Sequence, residues 1–483
     1  MQSNIKKNTA LNMLKTLSSI IFPLITFPYV SRVLHPENYG IYNFSASIVS
    51  YFSILATLGI TAYAVRECSQ VKNNKKVLEQ TASEILSLNV CATAFSYVAL
   101  ILCLIWIPKF QSYGPVIGIL SANILFTVVG ADWMNTVMED FRYITIRTVA
   151  FQALALVLML ICIHQSTDYV KYAVITVIAA GGGQLSNVFY RRRFCRIRFT
   201  FKINWKKHLP PVLILFAMLI SQTILNNIDI TMIGFIKSDT DVGLYSAAVK
   251  VTSIINQVIA SVCWVVLPQL SQGFANKDYK RINQILHRTL VFTITLTLPC
   301  VAGLCVLSPE ILTIVGGAEY ALAAPCLCIL AIGMIIAIGS NIFGNMILLP
   351  SNREMQFTIA CAAGMLVNAI LNTVIIPRFG INGAAVATLL ATIIISAVTM
   401  INPDPRLIFN GIPRTIIGPI IGSIVIVLIG LFVRYLELGL WLGTFVAVFF
   451  SVTAYALILI IAKNEIALEI VNPLLNKIKV KTH

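Results

Sequence analysis

The sequence predicts an all-α polytopic membrane protein, and three observations lead to this fold class. Of the 483 residues, 58% are hydrophobic and only 11% are charged, a composition typical of a chain that lies mostly within a bilayer. The apolar residues form runs of spanning length, which short polar stretches separate. The runs lack the two-residue alternation of transmembrane strands, so the crossings are predicted to be helices that satisfy their own backbone hydrogen bonds.

About fourteen runs are long enough to cross a bilayer. They centre near Ile21, Ile54, Leu100, Phe126, Leu156, Ile178, Leu219, Ile255, Leu298, Ile335, Leu366, Leu390, Val427 and Phe449. The sixth run, over residues 169–190, is the least regular because it contains glycine at positions 181, 182 and 183. Close helix packing is the preferred explanation for these glycines, and a hinge is the alternative.

An internal repeat indicates how the spans are organised. Residues 39–47 and 242–250 each open a span with the pattern Gly-aliphatic-Tyr, six segments apart. The repeat predicts two parallel six-helix bundles followed by two C-terminal helices. The expected parts are an N-terminal half over 1–190, a basic cytoplasmic linker over 191–209, a C-terminal half over 210–400, and two extra transmembrane helices with a cytoplasmic tail over 401–483.

The distribution of charge explains the formal net charge of +16. When alternate loops are assigned to opposite sides, about 28 of the 35 Lys and Arg residues lie on the side of both termini and about 6 on the other. This positive-inside pattern predicts that both termini are cytoplasmic. The largest cluster comprises Arg191, Arg192, Arg193, Arg196, Arg198, Lys202, Lys206 and Lys207. Each basic group flanks a span and no recognition motif accompanies it, which argues against nucleic acid as a partner.

The sequence carries no sign of soluble enzyme chemistry. It has no Walker-type glycine-rich loop and no His-Glu-x-x-His metal motif. No loop exceeds about twenty residues, which leaves no room for a catalytic domain outside the membrane. The first run is expected to remain as a span because it is too long for a signal peptide and contains Pro23 and Pro28. We therefore expect a transporter without a cofactor or metal, driven by a proton or sodium gradient.

Two ionisable residues interrupt the apolar runs. Lys250 lies in the run Val242–Leu267, and Asp229 lies in the run before it. Such groups cost several kcal/mol in hydrocarbon and usually mark a transport path. Each lies six or seven residues from the same membrane face, a depth of about 10 Å, so the two side chains are within reach of each other. A purely structural ion pair is the alternative.

Further polar residues lie on the same two helices and in the first half. Gln222, Asn226, Asn227, Asn256 and Gln257 are predicted to line a hydrated cavity, and the first half offers Lys15, Arg32, Arg66, Glu84 and Asp132. The alternatives are that the three cations snorkel to lipid headgroups and that the two acids pair with loop cations. Asn368 and Asn372 are interpreted as interhelical hydrogen-bonding groups.

Several segments resemble a known family. Residues 27–42, Phe-Pro-Tyr-Val-Ser-Arg-Val-Leu-His-Pro-Glu-Asn-Tyr-Gly-Ile-Tyr, resemble the opening of polysaccharide-biosynthesis flippases of the Wzx type, within the multidrug/oligosaccharidyl-lipid/polysaccharide exporter superfamily. Similar matches are Asp132-Trp133 with residues 139–144, Asp229 to Gly234 with residues 242–248, and Asn368 and Asn372 with residues 376–385. The chain departs from the family at His35, where glycine is common, and at Thr136-Val137, where Gln-Gly is common.

The resemblance implies a substrate and a location. It implies a flippase of the bacterial inner membrane that moves undecaprenyl-diphosphate-linked oligosaccharide repeat units from the cytoplasmic to the periplasmic leaflet by alternating access. The glycan would be O-antigen, capsule or a related polysaccharide. The partners would be this lipid-linked oligosaccharide and membrane lipids, with the polysaccharide polymerase and chain-length regulator as candidate proteins. A lipid II flippase, a cation-coupled multidrug exporter and a non-transporting scaffold are the alternatives.

The implied substrate assigns roles to the polar residues. The candidates for diphosphate contact are Lys250, Arg32, Lys15 and Arg66, and those for sugar contact are Asn226, Asn227, Asn256 and Gln257. Cations and hydrogen-bond donors are needed because a diphosphate does not cross hydrocarbon unassisted. Asp229, Asp132 and Glu84 are the candidate ion-coupling residues or charge partners, and Asp229 is predicted to neutralise Lys250 when the cavity is empty.

Overall fold

The computed structural model describes residues 2–407 and 412–469, with side chains from residue 17 onward except at 218, 262, 264 and 412–414. Within these residues the regular structure is helical and includes no strand. The α-helices are α1 Gln2–Thr57, α2 Ile60–Gln70, α3 Lys75–Trp106, α4 Pro108–Ser112, α5 Gly114–Gly130, α6 Trp133–Val137, α7 Phe141–Cys162, α8 Tyr169–Val177, α9 Gly183–Tyr190, α10 Trp205–Ile236, α11 Asp239–Ala275, α12 Tyr279–Val306, α13 Ser308–Gly316, α14 Ala324–Ser340, α15 Glu354–Thr399, α16 Ile412–Tyr435 and α17 Leu440–Ile461.

Twelve helical stretches of the described chain are long and apolar enough to cross a membrane. Two of them, Leu17–Gln70 with 54 residues and Glu354–Thr399 with 46 residues, are more than twice as long as the roughly 20 residues that one crossing needs. Each contains one residue with non-helical dihedral angles, His35 at φ 57° in α1 and Gly380 at φ 56° in α15. The predicted fourteen crossings require each of these stretches to cross twice, and that count stays a prediction.

Large apolar side chains on the helix surfaces are exposed, as a protein surrounded by lipid requires. Helix α17 shows this clearly, with Phe445, Phe449 and Val452 more than half exposed. Soluble proteins rarely expose contiguous apolar surface of this kind. The predicted class of an all-α polytopic membrane protein is therefore confirmed.

The chain forms two compact units, and the boundary between them in the sequence lies between Gly243 and Leu244. In the first unit, α1 packs against α3, α5, α7 and α10. In the second unit, α14 packs against α15, and α12 and α17 pack against α16. The compact-unit boundary lies downstream of the predicted linker, and the predicted division into halves at 190 and 210 stays a prediction.

The sixth predicted span is helical and contains a π-helical turn, Ile178–Gly182, between α8 and α9. Its three glycines lie where other side chains approach the backbone. A Cβ on Gly182 would lie 2.5 Å from Phe151, and one on Gly183 would lie 2.9 Å from Arg147 Nε. A Cβ on Gly181 would overlap with the ring of Phe126. Close packing, the preferred explanation for these glycines, is confirmed.

Helix α11 begins with a local cap. The backbone N–H of Ser238 donates to Asp241 Oδ2 at 3.2 Å, and the backbone N–H of Asp241 donates to Ser238 Oγ at 3.2 Å. This exchange satisfies backbone groups that a helix start leaves unpaired. Tyr113, just before α5, donates its hydroxyl to Asp239 at 2.6 Å. Burial and the nearby Asp239 carboxylate raise the pKa of Tyr113 above its usual range, so the phenol remains a donor at neutral pH.

Candidate functional site

A line of hydroxyl groups in the first unit joins α10 to the part of α1 that follows the break at His35, which we call the second arm of α1. Tyr51 Oη lies 3.0 Å and Ser47 Oγ lies 3.1 Å from Thr231 Oγ1. Thr231 also donates to the backbone carbonyl of Asn227 at 3.0 Å. Ser47 and Tyr51 are four residues apart, as are Asn227 and Thr231, so each pair lies on one helix face. These contacts align the polar faces of both helices.

A polar pocket of about 310 Å³ adjoins this second arm of α1. Its polar lining residues are Tyr42, Ser50, Ser53, Asn123 and Thr176, from α1, α5 and α8. Asn123 Oδ1 is buried and has no hydrogen-bond partner among the described residues. Buried polar atoms are normally satisfied, so a ligand hydroxyl is a suitable donor to this oxygen. Asn123 is not among the residues predicted from the sequence, although an amide in the middle of an apolar run was a visible signal.

The predicted uncharged residues of α10 have different surroundings. Asn227 is partly buried and donates to the backbone carbonyl of Thr223 at 2.9 Å. Asn226 is exposed, whereas Asp229 is buried with 5% of its surface accessible. Asn227 therefore belongs to the hydroxyl-rich face, and its role toward substrate stays a prediction.

The predicted cation Lys250 lies on α11 in the second unit and is half-buried. Gln257, seven residues further on, shares its helix face because seven residues complete nearly two turns. Gln257 is exposed and donates to the backbone carbonyl of Ser253 at 3.3 Å, and Asn256 is exposed beside it. This arrangement gives α11 a polar stripe around one cation. The predicted partnership of Lys250 with Asp229 stays a prediction.

The three predicted cations of the first half are distributed along α1 and α2. Arg32 is exposed near the break at His35. Arg66 is exposed, lies 3.3 Å from Glu67 and sits 5.4 Å from the centre of the Tyr63 ring. Helix α1 includes Lys15, whose side chain lies outside those described. Their contact with a diphosphate stays a prediction.

The candidate acid Glu84 of α3 belongs to a chain of hydrogen-bonded side chains that also includes residues of α2 and of the start of α10. Tyr63 Oη lies 2.7 Å from His208 Nδ1, and His208 Nε2 lies 3.1 Å from Glu84 Oε2. Glu84 also accepts from the backbone N–H of Asn204 at 3.4 Å and from Gln80 at 3.0 Å. The cluster thus brings Arg66 and Glu84 to the same region around Tyr63 and His208. These contacts hold the start of α10 against α3.

The candidate acid Asp132 belongs to a second cluster, centred on Arg147 of α7. Arg147 is 7% exposed, and its Nη2 donates to Asp132 Oδ2 at 2.8 Å. Asn135 donates to Asp132 at 3.0 Å and to Asn187 at 2.7 Å. Loop cations were the alternative partners predicted for Asp132, but the observed partner, Arg147, lies within the fifth span. A cation in the second turn of an apolar run was the signal that could have identified Arg147.

The amides of α15 bond to each other and across the break in that helix. Asn372 donates to Asn368 at 3.0 Å, and Asn368 donates to Thr388 Oγ1 at 3.2 Å. Both asparagines are fully buried. The Asn368–Thr388 bond crosses the break at Gly380, as the interhelical interpretation predicts, whereas the Asn372–Asn368 bond lies within one arm of the helix. Across the described ranges, no group of three His, Cys, Asp or Glu side chains is placed to hold a metal ion.

Comparison with known proteins gives two family matches. Residues 5–274 match a family described as "Polysaccharide biosynthesis protein". Residues 215–374 match a family described as "MatE". The first match covers more than half of the chain, and it includes both copies of the Gly-aliphatic-Tyr pattern.

Two curated relatives are similar in sequence. The chain is 32% identical over 163 residues to the "Probable low-salt glycan biosynthesis flippase Agl15" of Haloferax volcanii, an alignment that spans only 34% of either protein. It is 20% identical over 379 residues to the "Putative O-antigen transporter" of Escherichia coli K12, which covers 78% of this chain and 90% of that relative.

A solved structure has a similar fold. The lipid II flippase MurJ in its inward closed conformation superposes with a TM-score of 0.69, covering 94% of this chain and 100% of that chain. At 16% sequence identity, this similarity shows the fold alone.

Proposed function

We propose, on the premise that this chain belongs to the polysaccharide biosynthesis protein family, that it is a flippase for undecaprenyl-diphosphate-linked oligosaccharide repeat units. It moves them from the cytoplasmic to the periplasmic leaflet by alternating access, so that O-antigen, capsule or a related polysaccharide can be assembled. The names of the sequence relatives, a glycan biosynthesis flippase and an O-antigen transporter, support this proposal.

The observation that carries the proposal is the polar pocket of the first unit. A pocket of about 310 Å³ with hydroxyl and amide groups suits a polyol, and the buried Asn123 Oδ1 offers an acceptor to a sugar hydroxyl. Burial of an unsatisfied acceptor costs about 1–3 kcal/mol. A sugar that supplies the missing donor therefore gains affinity over an apolar ligand. A hydrophobic drug would leave this oxygen unpaired.

The proposed diphosphate contacts are Lys250 on α11 with Arg32, Lys15 and Arg66 on α1 and α2. A half-buried ammonium inside a span is expensive, and the diphosphate provides the compensating charge. Asn226, Asn227, Asn256 and Gln257 are the further candidates for sugar contact. A proton or sodium gradient, acting through Asp229, Asp132 or Glu84, is the proposed driving force. The proposed location is the inner membrane with both termini in the cytoplasm.

Depletion of the protein in its native host tests this function. Surface polysaccharide and undecaprenyl-linked intermediates are measured with and without a plasmid copy of the wild-type gene. We expect surface glycan to disappear and single repeat units to accumulate on the cytoplasmic leaflet, with both effects reversed by the plasmid.

Three other outcomes identify the alternatives. Intact surface glycan with accumulated lipid II and lysis assigns the protein to peptidoglycan precursor transport, which the fold similarity also allows. Intact glycan with altered drug tolerance assigns it to drug export, in line with the MatE match. The third outcome is loss of surface glycan on depletion and its full restoration by plasmid copies that carry substitutions at Lys250 or Asn123. This outcome would indicate a non-transporting scaffold.

A further inference from the structure

The linker between α9 and α10 forms a pocket rich in arginine. The pocket has a volume of about 460 Å³, and its lining includes Arg191, Arg192, Arg196 and Arg198 with the apolar Val188 and Ile197. The lining contains no Asp or Glu. The positive-inside pattern assigns this side of the protein to the cytoplasm. Four cations around one cavity create a site for a negatively charged group.

The charge of the pocket is not neutralised within the protein. In the described part of the chain, the guanidinium groups of Arg191, Arg192, Arg196 and Arg198 form no ion pair within 4.0 Å. Arg191 is only 7% exposed and donates to the backbone carbonyl of Gly130 at 3.4 Å. A buried cation is normally paired, since desolvation without a counter-charge is costly. The neighbouring Arg193 pairs with Asp140.

Backbone contacts hold the linker in place and leave the arginine side chains available. The backbone N–H of Arg196 donates to Glu79 Oε1 at 2.9 Å, and that of Arg198 donates to Ser83 Oγ at 3.1 Å. Glu79 is thus engaged with the backbone. Burial raises the pKa of the Cys195 thiol to about 11, so this lining residue does not supply a thiolate at neutral pH.

Exposed aromatic side chains place the pocket at the membrane surface. Phe201 is 91% exposed, and its ring lies 4.9 Å from that of Phe199, also on the linker. Phe189, just before the pocket, is 72% exposed. Trp205, at the start of α10, is 45% exposed, and tryptophan is enriched at the depth of the lipid headgroups. The arginines therefore lie where phosphate groups of lipids are found.

We propose that this pocket binds the phosphate headgroup of a lipid in the cytoplasmic leaflet. Basic pockets at the cytoplasmic ends of transmembrane helices are suited to such headgroups, and guanidinium groups bind phosphate oxygens in bidentate geometry. Two sources carry this chemistry: an anionic phospholipid such as cardiolipin, and a polyprenyl diphosphate. The site is distinct from the pocket of the first unit that contains Asn123, and its occupation by phospholipid does not require transport.

Lipid binding to the purified full-length protein tests the proposal. Native mass spectrometry in detergent measures the affinity for cardiolipin, for undecaprenyl diphosphate and for phosphatidylcholine. The variant Arg192→Gln with Arg196→Gln removes two pocket charges and keeps the backbone contact of residue 196. The control, Lys206→Gln with Lys207→Gln, removes two exposed charges of the same region that do not line the pocket.

We expect the pocket variant to bind at least one of the two phosphate lipids about 25-fold more weakly, because each guanidinium–phosphate hydrogen bond that is lost lowers the affinity by about a factor of five. The lysine control is expected to change affinity by no more than about threefold, and phosphatidylcholine binding should be weak throughout. Loss confined to cardiolipin identifies a phospholipid site, and loss confined to undecaprenyl diphosphate identifies a substrate-loading site. Equal losses in the two variants, or unchanged affinity in both, would overturn the proposal.

A second double variant tests the proposal in case the first double variant does not fold. Arg196→Gln with Arg198→Gln leaves Arg192 in place, removes two pocket charges and preserves both backbone contacts to α3. The same loss of affinity is expected. A competition arm with sodium phosphate completes the test, since displacement of lipid by millimolar inorganic phosphate would show a site for a free anion and overturn the assignment to a lipid headgroup.

Discussion

Gly40 and Gly243 lie against each other's helices at matching positions of the internal repeat, and both belong to the first unit. A Cβ on Gly40 would overlap with the backbone carbonyl of Asp239, and a Cβ on Gly243 would overlap with the backbone carbonyl of Pro36. Each carbonyl lies four residues before the glycine of its own helix, which is one helical turn. The contact is therefore reciprocal, and it supports the repeat predicted from the pattern Gly-aliphatic-Tyr.

Alanine at either glycine is expected to disrupt this contact. Because the opposing atoms are backbone atoms, no side-chain rotation relieves the overlap, and overpacking of this kind typically costs about 1–3 kcal/mol. Gly40→Ala and Gly243→Ala should both lower the melting temperature of the purified protein. Gly118→Ala is the matched control, because a Cβ there meets nothing within 4 Å. A melting temperature unchanged in all three variants would contradict the close contact.

Glycine at position 35 is expected to stabilise the protein. His35 has φ 57° and ψ 167°, a region that non-glycine residues occupy at a cost of about 1–3 kcal/mol. His35→Gly removes this strain and loses about 0.5–1 kcal/mol through the freedom of glycine in the unfolded chain, for a net gain of about 1 kcal/mol. His35→Ala keeps the strain and should not raise the melting temperature. If alanine stabilises as much as glycine, strain is not the reason.

Separation of Asp132 from Arg147 is expected to destabilise the first unit. The Asp132 side chain is 26% exposed and that of Arg147 is 6% exposed, so removal of one partner should cost less than the roughly 3–5 kcal/mol of a fully buried pair. Asp132→Asn and Arg147→Gln should each lower the melting temperature, and the double variant should lower it by less than the sum of the two. Arg142→Gln, at an exposed position of the same helix, should change it little. Additive effects would show that the two side chains act independently.

Asn123→Ala is expected to reduce transport without loss of stability. Asn123 Oδ1 has no partner among the described residues, so its removal should leave the melting temperature unchanged or raise it. Loss of one hydrogen bond to a sugar, worth about 1 kcal/mol, should slow glycan export about fivefold. Thr127→Ala serves as the control, because Thr127 bonds to the backbone of its own helix. Reduced export with an equally reduced melting temperature would indicate a structural role.

Transport is expected to require a positive charge at position 250 but not the particular shape of the lysine side chain. Lys250→Ala should abolish surface glycan in a complementation assay, whereas Lys250→Arg should retain it, because both cations bind a diphosphate. Lys202→Ala, which removes an exposed charge between two candidate spans, is the control. Full complementation by Lys250→Ala would remove this residue from the proposed substrate path.

Much of the fold and part of the candidate site could be predicted from the sequence. Apolar runs of spanning length were sufficient to predict the helices, and glycines 181–183 were correctly interpreted. The break at His35 was visible only as a departure from a family pattern, and its dihedral angles supply the reason. The pocket around Asn123 was missed because its polar lining residues come from three helices that are up to 134 positions apart in sequence.

The sequence by itself determined that the chain is a helical membrane protein and which polar groups lie within its apolar runs. Those properties depend on local composition, because a bilayer selects for hydrophobicity and for internally bonded backbone. Only the tertiary structure decided which polar groups meet. Asp132 pairs with Arg147, Glu84 with His208, and Tyr51 with Thr231. Such pairs depend on the packing and rotation of whole helices, which distant side chains set together.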